Sequence, residues 1–492
     1  MSKLKSLFIA ALGLVSLNAQ AQTHAMELVN KPITQLECGQ DVDVHGPYSV
    51  VASKFGYNTG GAIQLFYNDQ FVRNYKHDSY QNNNDLGKPE TVAIGEHAIV
   101  IGAPLYKNTN NGKIVGRVEV FPKTTNGSHY ATYASQAFSE GSTDVLTDFG
   151  RAVDIDGNWI AVGAPKKGND GGVKVFQRSS GMWVHIGWLP LPNFNNAPDR
   201  YPFPGSTVAN PANFGSDVAI KNNKLIVGAP GVGSFYIYEY NGTSWVLTGE
   251  YSGPKVPYLG GDVTISDNHA LASSGNSVVV YQKHWNGTWI NLQTINSHQS
   301  FIDDIAVENN HLVIGKAGAS QNNGVVEYYE LRNHAVNGVW VYDFVMIGKM
   351  HVDVNASTKG LVNHKRLGYS VAIQGDVVVA GAHNAMYTSV ADGAAFRAPF
   401  HHMMPVQAPL RASDFAFTSE SVLSLYPNPA ADVINISTER TIRTVTATNT
   451  VGVAKDLAVE GNQINVSELP SGLYIITVNT EEGVITEKVQ IK

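Results

Sequence analysis

One phrase recurs along the chain with a fixed internal spacing. The stretches DFGRAVDIDGNWIAVGAP, NFGSDVAIKNNKLIVGAP and RLGYSVAIQGDVVVAGAH each place two glycines 13 positions apart. These pairs are Gly150 and Gly163, Gly215 and Gly228, and Gly368 and Gly381. Weaker copies end near positions 52, 102, 273 and 315, which gives seven copies in all. Self-similarity at intervals of 42 to 66 residues predicts a propeller or a solenoid.

Each copy contains an alternating apolar pattern around a short turn. Val153 and Ile155 precede the turn at 156–158, and Ile160 and Val162 follow it. A period of two around Asp, Gly and Asn predicts an antiparallel hairpin. A third apolar segment follows the Gly-Ala-Pro corner, and a fourth follows a glycine turn. In four copies the fourth segment carries a tryptophan at one recurring place: Trp183, Trp245, Trp289 and Trp340.

Four antiparallel strands repeated seven times specify a seven-bladed β-propeller. The predicted fold class is therefore all-β, with four-stranded antiparallel blades followed by a small C-terminal β-sandwich. The last copy lacks a fourth strand. Because propellers avoid exposed edges by pairing the two ends of the chain, we predict that KPITQLEC, residues 31–38, supplies this strand.

The phrase resembles the FG-GAP repeat, the blade of integrin α-subunit propellers and of many bacterial surface proteins. The resemblance covers about residues 41–396. It implies structural roles for the repeated positions, where glycine and proline let the backbone turn tightly between crowded blades. These positions are Phe149, Gly150, Gly163, Ala164, Pro165, Phe214, Gly215, Gly228, Ala229, Pro230, Gly102, Ala103, Pro104, Gly368 and Gly381.

Calcium-binding members of this family carry an acidic Asp-x-Asp-x-Asp-Gly loop between the first two strands. Here short turns such as DIDGN and KNNK take that place. Such turns offer too few oxygen atoms to surround an ion. We therefore predict no metal site and no cofactor.

The first 21 residues have the pattern of a secretory signal peptide. Two lysines precede an apolar run at 7–17, and cleavage is predicted between Ala21 and Gln22. The run is shorter than the roughly 20 residues that span a membrane. No later run is longer, so we predict no integral membrane segment in the mature chain. The formal net charge of −7 disfavours nucleic acid as a partner.

From residue 423 the chain alternates short apolar segments with turn glycines and has no tryptophan, which predicts a small β-sandwich. LYPNPAAD, INVSELPSGLYIITV and the final EKVQIK resemble the type A sorting domain of the type IX secretion system of Bacteroidota. The matching positions are Pro427, Asn428, Pro429, Gly452, Leu469, Gly472 and Tyr474. The resemblance implies recognition by the type IX secretion machinery and delivery to the cell surface. An ordinary accessory sandwich is the alternative.

The sequence thus predicts four segments. A signal peptide occupies 1–21, an FG-GAP-like seven-bladed propeller 22–400, a linker 401–422 and the sorting domain 423–492. Prolines and small polar residues in 401–422 are typical of an extended linker.

Familiar catalytic motifs are absent from the sequence: His-Glu-x-x-His, Gly-x-Ser-x-Gly, a phosphate-binding loop and Cys-x-x-Cys. Asp303 and Asp304 are adjacent, which on a strand points them to opposite faces. Asp154 and Asp156 share a face, but they flank a hairpin turn, where aspartate is common for structural reasons. We therefore predict no catalytic residue.

Three remaining features are candidates for chemistry. The single cysteine, Cys38, permits no internal disulfide and is predicted to be a packed thiol. The exposed aromatic run YPFPG, at 201–205, could stack on a sugar or a peptide, with a packed loop as the alternative. A group of imidazole and thioether side chains has a composition that suits copper, although most of it falls in or near the linker. Its members are His383, Met386, His401, His402, Met403 and Met404.

The leading hypothesis is a secreted binding or adhesion protein that holds an extracellular protein or glycan on the loop-bearing face of its propeller. One alternative is an extracellular enzyme that acts on polysaccharide or protein through groups in the central channel. A structural component of the cell surface is the other alternative.

Overall fold

A computed structural model gives the fold of the chain. It describes residues 26–27, 36–55, 62–75, 91–106, 113–124, 129–140, 147–196, 210–252, 258–297, 300–319, 324–336, 339–350, 366–383, 393–400, 424–437, 442–449, 454–480 and 483–492. The predicted signal peptide with its cleavage site lies outside these residues, as does the linker. The chain divides into two compact units, Met1–Val406 and Gln407–Lys492.

The described part of the first unit consists of seven four-stranded antiparallel sheets. The N-terminal strand β1 is Met26–Glu27. Sheet one contains β2 Leu36–His45, β3 Tyr48–Phe55, β4 Ala62–Tyr67 and β5 Gln70–Tyr75. Sheet two contains β6 Thr91–Ile94, β7 Ala98–Ala103, β8 Arg117–Pro122 and β9 Gln136–Ser139. Sheet three contains β10 Val153–Asp156, β11 Trp159–Gly163, β12 Val173–Ser179 and β13 Met182–Trp188.

Sheet four contains β14 Val218–Lys221, β15 Lys224–Ala229, β16 Ser234–Tyr240 and β17 Trp245–Ser252. Sheet five contains β18 Val263–Ile265, β19 His269–Ser274, β20 Ser277–Lys283 and β21 Trp289–Asn296. Sheet six contains β22 Asp304–Glu308, β23 His311–Lys316, β24 Val325–Val336 and β25 Val339–Met350. Sheet seven contains β26 Leu367–Gln374, β27 Val377–Ala382, β28 Ala394–Pro399 and β1. Two short 3-10 turns, Phe194–Asn196 and Pro230–Val232, lie between strands of the described residues.

The predicted hairpins are present in these sheets. In sheet three, Ile155 pairs with Ile160 across the turn between β10 and β11, as the period of two requires. The equivalent turn in sheet four has Asn222 and Asn223 in the left-handed region, with φ of 45° and 62°. Asparagine tolerates this conformation, which tight hairpins need.

The apolar core lies between consecutive sheets. One cluster joins Val175 of sheet three to Val227 and Tyr236 of sheet four. Another joins Phe66 of sheet one to Val379 of sheet seven, so the last sheet packs on the first. Each sheet thus buries its apolar side chains only by stacking on its neighbours. The first strands β2, β6, β10, β14, β18, β22 and β26 also contact one another in this order, and β26 contacts β2. They remain in separate sheets.

The prediction for the missing strand was correct in origin and wrong in position. The fourth strand of sheet seven comes from the N-terminal segment, but it is β1, with Met26 opposite Arg397 and Glu27 opposite Phe396. Leu36–Cys38, at the end of the predicted strand, instead begins β2. The alternating pattern of β2 therefore continues into residues that we had assigned to the closing strand.

The second unit contains two four-stranded sheets with the orders β29-β30-β34-β33 and β32-β31-β35-β36. One apolar cluster draws residues from both sheets, among them Ile434, Val445 and Ile476. The first sheet contains β29 Ser424–Tyr426, β30 Val433–Ser437, β33 Val459–Glu460 and β34 Gln463–Asn465. The second contains β31 Ile442–Asn449, β32 Ala454–Leu457, β35 Gly472–Thr480 and β36 Gly483–Ile491.

Candidate functional site

The two ends of the seven sheets differ in the length of their connections. In a four-stranded antiparallel meander, the turns after the first and third strands lie at one end, and the other connections lie at the opposite end. The first end carries tight turns, such as 157–158 and 222–223. At the opposite end lie the strand ends that bound the longer segments of the sequence, such as 76–90, 189–217 and 351–366. We call these ends the hairpin face and the loop face.

A central cavity of about 920 Å³ is lined by the first strands of all seven sheets. Its wall is rich in aspartate, and six of these residues share one arrangement. A carboxylate oxygen of each accepts a hydrogen bond of 2.7 to 2.8 Å from a backbone N–H of the following sheet, either in its first strand or in the turn directly after that strand. The pairs are Asp41 with Val92, Asp43 with Ile94, Asp154 with Ile220, Asp156 with Asn222, Asp217 with Val263, and Asp304 with Val371.

The remaining junctions between sheets use neutral side chains. Between sheets two and three, the Thr91 hydroxyl donates to the Gly150 carbonyl at 2.9 Å. Between sheets five and six, the Thr264 hydroxyl accepts from the Val307 N–H at 3.2 Å. Between sheets seven and one, Gln374 accepts from the N–H of Gly46. A polar side chain therefore bridges every pair of consecutive sheets.

Burial raises the pKa of several aspartates in the cavity wall. It brings the pKa of Asp41 and of Asp262 to about 7, although hydrogen-bond donors to both side chains lower it. The pKa of Asp154 is raised to about 6 for the same reason. The pKa values of Asp43 and Asp217 lie well above the usual range because of burial and the charges of neighbouring aspartates. Some of these aspartate side chains are thus protonated near neutral pH.

The two aspartate pairs considered in the sequence both line this cavity. Asp154 and Asp156 point to the same side, as predicted, and both bind the backbone of sheet four. Asp304 binds sheet seven, whereas Asp303 accepts a hydrogen bond from the Ala317 N–H of its own sheet at 2.7 Å. Each pair is thus held by backbone donors. Among the described residues, no group of three or more His, Cys, Asp or Glu side chains is arranged to hold a metal ion.

The repeated Phe-Gly and Gly-Ala-Pro positions meet between consecutive sheets. A methyl group on Gly163 would overlap the carbonyl oxygen of Gly215, and one on Gly228 would overlap that of Gly260. A methyl group on the first glycine would likewise overlap the carbonyl oxygen of the second in three further pairs: Gly102 with Gly150, Gly315 with Gly368, and Gly381 with Gly39. The second glycine of each pair has φ between 83° and 91°. Within one copy the two glycines also form a hydrogen bond, in which the Gly150 N–H donates to the Gly163 carbonyl at 3.0 Å.

The other repeated positions surround these contacts. Phe149 and Phe214 are fully buried in the clusters between sheets. Ala103, Ala164 and Ala229 are buried beside the corner glycines. Pro104 and Pro165 line a second cavity at the loop face, and Pro230 begins a 3-10 turn.

A recurring turn precedes these glycines, and the sequence had not singled it out. Its first residue adopts a left-handed conformation, with φ of 53° at Asp148, 53° at Asn213, 66° at Tyr258 and 70° at Arg366. The carbonyl of this residue accepts the N–H three positions later in the first three cases, at 3.0 to 3.1 Å. The only signal in the sequence is its place, two residues before the glycine.

The second cavity, of about 470 Å³, lies where two such turns approach the corners of sheets two and three. Its lining consists of Pro104, Leu105, Asp148, Arg151, Pro165, Lys166, Asn213 and Ser216. Asp148 is 8% exposed and forms an ion pair with Lys166 at 2.7 Å. Its other carboxylate oxygen has no hydrogen-bond partner among the described residues. Arg151 and Ser216 also line the central cavity, which makes the two spaces neighbours.

The other candidates for chemistry are placed as follows. Cys38 is buried, and its thiol lies 3.6 Å from Gln64 Oε1. His383 is buried with its ring centroid 3.8 Å from that of Tyr369. The rest of the imidazole and thioether group lies outside the described residues, and so does the YPFPG run. The tryptophans Trp183, Trp245 and Trp289 are buried near the start of the fourth strand in their sheets.

In the second unit the predicted motif positions connect the beginning of the unit to its end. The Asn428 side chain accepts the Gln490 N–H at 3.0 Å, next to cis bonds before Pro427 and Pro429. Leu469 is buried, and the Tyr474 hydroxyl donates to the Pro470 carbonyl at 3.0 Å, beside Gly472 at the start of β35. Gly452 lies outside the described residues.

The protein-family model of the secretion system C-terminal sorting domain matches residues 424–492. This segment is a type IX secretion sorting domain. The sorting domain directs the protein out of the cell, to the cell surface or the extracellular space, and implies interaction with the secretion machinery. Within the described residues, no helix has the length and apolar character needed to cross a membrane.

Several solved structures are similar to the chain at low identity. A putative 6-phosphogluconolactonase from Bacteroides uniformis shares 11% identity with a TM-score of 0.43, covering 64% of this chain and 88% of that one. Hsv2 of Kluyvelomyces marxianus shares 10% with a TM-score of 0.41, covering 72% and 91%. PorZ, a surface component of the type IX secretion system of Porphyromonas gingivalis, shares 14% with a TM-score of 0.32, covering 90% and 64%. No curated protein matches the sequence.

Proposed function

We propose that residues 22–400 form a seven-bladed β-propeller of FG-GAP-like repeats, which the sorting domain delivers outside the cell as a binding module. The protein or glycan that it binds is held on the loop face. The observation that carries this proposal is the unequal length of the connections. Apart from 123–135, the turns at the hairpin face have two to five residues, whereas most connections at the loop face are longer. Long surface connections on a rigid scaffold are where binding residues concentrate.

The central cavity supports the same proposal. Six of its aspartates accept hydrogen bonds from the backbone of the neighbouring sheet. These carboxylates hold the sheets together, so replacing them with ligand-specific residues would weaken the scaffold.

A second candidate function is an extracellular enzyme that cleaves polysaccharide or protein, and Asp262 favours it. Its carboxylate faces the cavity, its pKa is raised to about 7 by burial, and it accepts the Ser273 hydroxyl at 2.6 Å. A carboxyl group that titrates near neutral pH suits general acid–base catalysis.

The test uses the full secreted chain, passed over a panel of immobilised polysaccharides and extracellular proteins. Retention and the length of the bound polymer are both recorded. We expect retention with an intact polymer, and we expect Tyr258→Ser on the loop face to abolish it. The matched control is Trp285→Ser, which removes an exposed aromatic side chain from the turn between β20 and β21 on the hairpin face. Loss of retention in the Trp285→Ser control alone would place binding on the hairpin face and contradict the proposal. If the polymer is shortened and Asp262→Asn prevents this shortening, the enzyme is favoured.

A further inference from the structure

The recurring turn of the loop face places one side chain at an equivalent position in each of sheets three to seven. Four of these side chains belong to the left-handed residues Asp148, Asn213, Tyr258 and Arg366. Phe301 takes the same place in sheet six. The Asp303 N–H, two residues after Phe301, donates to the Gly315 carbonyl, just as the Gly150 N–H, two residues after Asp148, donates to the Gly163 carbonyl. The turn is therefore built with an acid, an amide, two aromatic residues and a cation.

The backbone does not explain this choice of residues. A left-handed conformation favours glycine or asparagine, and Asn213 meets that preference. Tyr258 and Arg366 do not, since a bulky side chain with positive φ is costly. The fourth residue of the turn varies equally, with Arg151 replaced by Ser216 and Gly261 in the next two sheets. Because the same turn forms without them, the fold does not require the charged and aromatic side chains.

Two consecutive positions provide aromatic surface. Tyr258 is 70% exposed in sheet five, and Phe301 is 73% exposed in sheet six. Large aromatic side chains left in solvent at adjacent repeats are unusual for packing, and they offer flat apolar faces to a partner. The apolar face of a sugar ring is a matching surface.

Cationic side chains lie at the loop face of sheets three and seven. Lys166 and Arg151 line the second cavity, and the Lys166 ammonium is held in place by Asp148. Burial raises the pKa of Tyr369, whereas the guanidinium groups of Arg151 and Arg366 lower it, so both arginines approach the same tyrosine. The loop face of sheets three and seven thus carries three cations as well as the carboxylate of Asp148, in a chain whose net charge is −7. The carboxylates of Asp303 and Asp262 also lie near Tyr369 and raise its pKa. Arginine binds carboxylates through two parallel hydrogen bonds.

We propose that the loop face binds a polysaccharide that carries carboxylate groups, with Arg151 and Lys166 on a carboxylate and with Tyr258 and Phe301 on sugar rings. The prolines at 104 and 165 provide the apolar wall of the pocket. This site rests on the proposed function and specifies the chemistry of its ligand.

The experiment measures binding of the full secreted chain to polygalacturonate, with dextran as the neutral polymer and polyglutamate as the acidic peptide. We expect binding to polygalacturonate alone, weakened by added salt. Arg151→Gln should weaken it at least about tenfold, the loss of roughly one charge-assisted hydrogen bond. Arg332→Gln, which removes a guanidinium from the end of β24 near the hairpin face, should leave it unchanged. Unchanged melting temperatures would show that both variants are folded.

The outcomes separate this inference from the proposed function. Equal binding to polyglutamate, or an Arg151→Gln variant with full affinity, would overturn the acidic-polysaccharide site. The chain could instead be retained on a neutral polymer or a protein, with this retention abolished by Tyr258→Ser. That result would support the binding function and overturn only the acidic-polysaccharide site. The absence of retention on every polymer and protein tested would remove both.

Discussion

The carboxylate of Asp154 accepts the backbone N–H of Ile220 at 2.7 Å, although 66 residues separate the two along the chain. The other oxygen of the same carboxylate accepts the N–H of Ile155 at 2.7 Å. One side chain therefore satisfies a donor in its own sheet and a donor in the next. This arrangement recurs around the central cavity and fixes consecutive sheets in register.

Replacing Asp154 by asparagine should destabilise the first unit. An amide has only one acceptor oxygen, so its NH₂ group would face one of the two N–H donors and leave it unpaired. An unsatisfied buried donor costs about 1–3 kcal/mol, and we expect a loss of that size in the free energy of unfolding by denaturant titration. Glu250→Gln, on the exposed side of β17, is the control and should change it by less than about 0.5 kcal/mol. Equal effects of the two substitutions would contradict the bridging role.

Gly228→Ala should be among the most damaging single substitutions in the chain. The added methyl group would overlap the backbone carbonyl of Gly260, which cannot move without separating sheets four and five. We expect a loss above about 3 kcal/mol or an insoluble protein. The control is Gly318→Ala, where the methyl group would meet no atom within contact distance. A soluble Gly228→Ala variant with an unchanged melting temperature would refute the close contact.

Stability should fall as pH rises through neutrality. The pKa of Asp41 and of Asp262 is about 7 in the folded protein because of burial, against about 3.9 for aspartate in an unfolded chain. Between these values the folded state holds protons that the unfolded state has released, so the free energy of unfolding decreases as pH increases. The contribution is complete below about pH 4 and is lost above about pH 7.

The measurement compares melting temperatures at pH 6.5 and pH 8. His45, His185 and His269 have pKa values lowered by burial and act in the opposite direction at the lower end of this window, because an unfolded histidine has a pKa of about 6.5. Comparison with the Asp41→Asn variant separates the two effects. We expect a higher melting temperature at pH 6.5 and a smaller difference in the Asp41→Asn variant. A melting temperature that rises with pH over this window would show that the carboxylates are ionised in the fold.

Removal of β1 should weaken sheet seven. Met26 and Glu27 pair with β28, and without them that strand becomes an exposed edge. We expect deletion of residues 22–27 from the secreted chain to lower the melting temperature by several degrees. Deletion of 22–25 alone, which spares β1, is the matched control and should have little effect. If both deletions melt like the parent chain, β1 does not stabilise the sheet.

The sequence alone determined the local structure of most sheets. Alternation around Ile155 and Ile160 predicted their hairpin because the two residues are near neighbours in the chain. The apolar segments within each copy predicted the four-stranded units. LYPNPAAD, INVSELPSGLYIITV and EKVQIK identified the sorting domain for a similar reason, since the residues within each motif lie close together in the chain.

Only the tertiary structure decided how the sheets are joined. The contact of Gly228 with Gly260, like that of Asp154 with Ile220, crosses between repeats, and no local pattern specifies which residue will lie opposite. The two-residue strand β1 is too short to carry a periodicity, which is why the closing strand was placed several residues too late. The loop-face turn was also missed, because its side chains share a backbone position and no chemical character.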